Sequence, residues 1–66
     1  MKVFFNSEEI NIPENSTVTM LKELKNAPKS GVAVAVNGKI VVGKDHDTFL
    51  LKENDDVILI SAAYGG

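Results

Sequence analysis

Side chains able to do chemistry are scarce in this chain. It has no cysteine, so it offers no thiolate nucleophile, no disulfide and no Cys-based zinc site. Its one histidine, His46, stands between Asp45 and Asp47. One imidazole beside two adjacent acids that point different ways rarely holds a metal, and the segment reads as a solvated loop. All seven basic residues are lysine, so the two-pronged grip of arginine on phosphate is missing. No glycine-rich phosphate loop is present. No catalytic side chain and no metal ligand are therefore expected. What remains is the end of the chain. After Asp56 no charged side chain follows, and the sequence closes Ser61-Ala62-Ala63-Tyr64-Gly65-Gly66. A Gly-Gly pair alone is a weak signal, since termini fray. Two glycines nonetheless make a thin, conformationally free tail that can thread a narrow cleft on another protein. From Ala63 onward such a tail reaches roughly 13 Å, at up to ~3.3–3.6 Å per residue. The carboxylate of Gly66 is then the one electrophile precursor on offer. It is inert as an anion and needs activation, for example as an acyl-adenylate. The ATP site for that step must lie on a partner.

Such a tail needs a compact body to carry it, and 66 residues suffice for one small domain. A chain this short buries only about 60% of its unfolded surface, so its core is marginal. The apolar fraction of 44% is in the globular range and argues against disorder. Apolar runs are too short to cross a bilayer, and Met1–Asn6 turns polar too soon for a signal peptide. A soluble, cytoplasmic protein is expected. The net charge of −2 argues against a nucleic-acid partner, which would need a basic face.

Val3, Phe4 and Phe5 favour a strand, Asn6-Ser7-Glu8 a turn, and Ile10 and Ile12 a returning strand that Pro13 ends. Residues 2–12 thus read as a hairpin. Thr17 is the expected helix N-cap. Val18, Leu21 and Leu24 follow at helical spacing, with Met20 widening the stripe and Lys22, Glu23 and Lys25 facing water. Asn26 and Pro28 stop the helix. Val32–Val36 and Ile40–Val42 flank Asn37-Gly38, a strong two-residue turn. Gly43–Asp47 reads as a polar loop, and Thr48–Leu51 as a brief strand or helical turn. Asn54 takes the left-handed position of a turn before the last strand, Val57–Ile60. One helix among these strands points to α+β: a mixed sheet of four to five strands packed on a single helix.

The ββαββ order, the segment Val34-Ala35-Val36-Asn37-Gly38, the acidic turn Glu53-Asn54-Asp55 and the terminal Gly65-Gly66 together resemble the ThiS family. These are small sulfur carriers of thiamine thiazole synthesis with the ubiquitin-like β-grasp fold. The resemblance spans the whole chain and implies one β-grasp domain over residues 1–66 with a flexible tail at 62–66. It also implies that Gly66 is adenylated by a ThiF-type, E1-like adenylyltransferase using ATP and magnesium held on that partner. Sulfur from a donor such as a cysteine desulfurase or a rhodanese-type persulfide then gives a thiocarboxylate, which donates sulfur to thiazole synthase. Gly65 matches the penultimate glycine that lets the tail lie in a channel. The related MoaD carriers are usually longer and tend to have a Phe-Pro-Pro segment that is absent here. Tyr64 is bulky where the ThiS family often has a small or polar residue, and Asn54 replaces a more usual glycine. The alternatives are a molybdopterin-type sulfur carrier and a ubiquitin-like modifier joined to lysines through Gly66, which the same activation would also serve.

Alternation along the strands assigns the faces. The expected core is Val3, Phe5, Ile10 or Ile12, Val18, Leu21, Leu24, Val34, Val36, Leu51, Val57 and Leu59. Phe4, Ala33, Ala35, Ile58 and Ile60 then form an outward apolar patch, read as a docking surface for partners. Glu8-Glu9 and Asp55-Asp56 read as turn and surface acids. Lys22, Lys25 and Lys29 read as a solvated basic edge.

Overall fold

The computed structural model describes residues 1–28 and 31–61. β1 (Lys2–Phe5) and β2 (Glu8–Asn11) pair antiparallel across Asn6 and Ser7. Both turn residues have positive φ, 49° and 72°, the combination a tight two-residue turn demands. The chain then crosses to α1 (Val18–Leu24). The Thr17 side chain accepts the Met20 N–H, as expected of a cap. Asn26, at φ 57°, supplies the left-handed residue beyond the helix end. β3 (Ala33–Val36) and β4 (Lys39–Val41) form a second hairpin on Asn37 and Gly38, at φ 53° and 84°. A single 3-10 turn (Gly43–Asp45) starts the connector to β5 (Asp56–Ile60). Asn54, at φ 70°, takes the left-handed position assigned to it.

The five strands form one mixed sheet in the order β2-β1-β5-β3-β4. β5 lies at its centre, parallel to β1 and antiparallel to β3. The helix covers one face. Val3, Phe5, Val34, Val36, Val57 and Leu59 from the sheet meet Val18 and Leu21 from the helix, closed by Ile12, Val41 and Leu51. This is the β-grasp architecture, with the sheet at the upper end of the expected strand number.

The helix is rotated from its expected setting. Leu24 is 52% exposed and Met20 is also exposed, while Lys22 is buried. A seven-residue helix gives too few repeats to separate an 18-21-24 stripe from an 18-21-22 one. The connector decides between them. Val18 N–H donates to Phe49 O at 3.2 Å and Thr19 N–H to His46 O at 3.0 Å. Carbonyls of the connector thus satisfy helix donors that would otherwise be orphaned, and they turn the Lys22 side inward. Val41, not assigned to the core from sequence, joins it on the same side.

Candidate functional site

The reactive terminus assigned from sequence, Gly66 with Gly65 and Tyr64, lies outside the described residues. The strand that leads to it is β5, held on both sides. Asn6 N–H donates to Val57 O, and Leu59 N–H donates to Asn6 Oδ1, both at 2.9 Å. Ser61, the last described residue, is buried. The tail thus follows a strand that is paired on both sides.

The face of the sheet away from the helix has no covering layer among the described residues. The register places Phe4, Ala33, Ala35, Ile58 and Ile60 on it, because their neighbours Phe5, Val34, Val36, Val57 and Leu59 are in the core. Ala33 stands opposite Ile60 and Ala35 opposite Ile58. Ile58 is 43% exposed and Ile60 63%, whereas Phe4 and Ala35 are half-buried. Ile40, opposite Ala35 on its other side, extends the same row and is 66% exposed. Ala35 therefore lies between Ile58 and Ile40, and Ala33 beside Ile60. Ile40 was missed from the sequence, although the inward Val41 that follows it was a usable signal. At the β1 end the patch meets charge. Phe4 lies between Glu9 and Asp56, and the Lys2 ammonium sits 5.6 Å from its ring centroid. Acids at a rim favour encounter with a basic partner more than tight binding.

His46 and Asp55 depart from their expected settings. His46 is buried rather than solvated. Its Nε2–H donates to Val41 O at 2.9 Å, which leaves Nδ1 to accept from the Lys22 ammonium at 2.8 Å. Both ring nitrogens are occupied inside the fold, so His46 presents no free base or metal ligand. Thr19 donates its hydroxyl to Asp47, fastening the same connector to the helix. Asp55 is also buried; it accepts from the Asn37 side-chain amide and from Lys52 N–H at 2.9 and 2.8 Å. Lys25 is half-buried rather than solvated, its ammonium 5.5 Å from the Phe5 ring centroid and 3.6 Å from Glu8, while Lys29 lies outside the described residues. Among the described residues, no group of three or more His, Cys, Asp or Glu is placed to hold a metal ion. No described helix is long and apolar enough to cross a membrane.

Residues 2–66 match the ThiS family. The fold superimposes on the crystal structure of the thiamine biosynthesis protein ThiS from Geobacter metallireducens with a TM-score of 0.83 and 28% identity. That match covers the whole of both chains. No curated protein sequence matches the chain.

Proposed function

This chain belongs to the ThiS family, and from that premise we propose that it is the sulfur carrier of a thiamine-type thiazole synthesis, working as a substrate-like carrier and not as an enzyme. The observation that supports this most is family membership over residues 2–66, which includes Gly65-Gly66. The body is a single β-grasp domain and the tail, residues 62–66, is its chemical end. A ThiF-type adenylyltransferase supplies ATP and magnesium. The Gly66 carboxylate attacks the α-phosphorus, and pyrophosphate leaves. A persulfide sulfur then adds to the acyl carbon and displaces AMP. A thiol cleaves the resulting sulfur–sulfur bond, leaving a thiocarboxylate on Gly66 and a disulfide on the donor side. Thiazole synthase takes that sulfur.

Nothing in this sequence of steps needs a catalytic side chain on the carrier, which fits a chain without cysteine whose lone histidine is fully hydrogen-bonded. The docking surface is the open sheet face, with Phe4, Ala33, Ala35, Ile58 and Ile60 meeting the activating enzyme. An exposed apolar patch rimmed by polar groups is the usual form of such a surface. Mass spectrometry of the chain after incubation with the enzyme, ATP and a sulfur donor is the test. The expected product has one oxygen of Gly66 exchanged for sulfur. If only lysine conjugates through Gly66 form, the chain is a protein modifier instead.

A further inference from the structure

A second surface lies at the edge of the sheet and is independent of the carrier reading. β4 is an outermost strand, with no strand paired on its outer side among the described residues. Asn37 N–H donates to Asp56 O, so the odd-numbered residues of β3 turn their amides toward β5 and the even-numbered ones toward β4. Val36–Lys39 and Val34–Val41 are therefore the hydrogen-bonded pairs. Ile40, opposite Ala35, directs its N–H and C=O to the open edge. Such an edge is a template for one more strand.

Beside this edge runs a groove between β4 and the connector, with Phe49 and Leu50 exposed along it. Lys39 and Lys52 line the same groove and are both exposed. Neither has an ion-pair partner among the described residues. The acid beside them, Asp55, is buried and accepts two hydrogen bonds from within the protein, so the charge facing outward is positive. This local sign opposes the net charge of −2 of the whole chain. We propose that the groove takes an extended peptide segment of a partner whose every second residue, the set that faces the groove, is acidic or apolar. The segment adds to β4 through the Ile40 backbone, and its every second side chain enters the groove: the apolar ones rest on Phe49 and Leu50 and the acidic ones on Lys39 and Lys52. Strand addition supplies hydrogen bonds, and the flanking side chains supply specificity. A second copy of this chain fits poorly, because it would bring the same two ammonium groups against each other. Val36, Asn37 and Asp55 place the groove by the start of β5, while the tail departs from its other end.

The test is an NMR titration of the 15N-labelled full chain with a synthetic probe, acetyl-Asp-Ser-Val-Ser-Ile-Ser-Glu-amide, whose every second side chain is acidic or apolar. Saturable shifts are expected at Lys39–Val41 and Phe49–Lys52, with slowed exchange of the Ile40 amide. The folded double variant K39E/K52E should bind this probe about tenfold more weakly or worse, and should gain affinity for a probe with lysine in place of the acids. Circular dichroism checks that the variant is folded. Equal binding of both probes by the unaltered chain would overturn the proposal. So would shifts confined to Ala33, Ala35 and Ile58, or none at millimolar probe. Concentration-dependent dimerisation through β4 would also overturn it, by making a second copy the occupant.

Discussion

The two faces of one sheet are built from the same strands, yet neighbouring residues on them do different work. On β5, Val57 and Leu59 are buried under the helix, while Ile58 and Ile60, equally apolar, face away from it. The chain's conformational-entropy cost is offset on one face alone. The apolar surface left on the other has no role in holding the helix. In a domain this small, giving up half of the sheet's packing surface is costly, since one hydrophobic core here supplies only about 3–5 kcal/mol of net stability. That cost is intelligible if the open face is used by partners.

Adjacent substitutions can break or sharpen this comparison. The largest effect is expected for Leu59→Ala, at about 2–5 kcal/mol of destabilisation, enough to unfold much of the protein in urea-free buffer. Equilibrium denaturation measures it. Next comes Asn37→Gly, which keeps the turn's positive φ but removes the amide that donates to Asp55 and the oxygen that accepts from Asp56 N–H. A loss of about 1–3 kcal/mol is expected, because it leaves Asp55 short of a donor. A neutral result would mean that the turn geometry is the residue's whole contribution. Thr17→Ala should cost about 0.5–2 kcal/mol through the lost cap, read as a lower urea midpoint at unchanged m-value. Ile58→Asp should change stability least, by about 0.5 kcal/mol or less, as surface substitutions do. If Ile58→Asp destabilised as much as Leu59→Ala, the two faces would not be functionally distinct.

Much of this could be read from residue types alone. Asn6-Ser7 and Asn37-Gly38 announce their turns, Thr17 its cap, and the period of two along β1, β3 and β5 sorts inward from outward residues. The connector between Val42 and Leu51 has no period to read. His46 between two aspartates looks solvated, because sequence neighbours say nothing of Lys22, which lies 24 positions away and reaches it through the fold. Asp55 was misjudged for the same reason, its partner being the side chain of Asn37. Lys22 itself follows from helix rotation, which seven residues cannot define and the connector's carbonyls do. The open face was legible except for Ile40, whose place depends on the pairing of β4 with β3.

The central claim is that the body only presents the tail and that the chemistry occurs at Gly66 on a separate enzyme. ATP–pyrophosphate exchange by a ThiF-type enzyme, driven by this chain, tests it most directly. Three forms are compared: the unaltered chain, Ile58→Asp, and the chain ending at Tyr64. The account requires exchange with the first, exchange with a raised KM and retained kcat for the second, and none for the third. Exchange supported by the chain that ends at Tyr64 would contradict it.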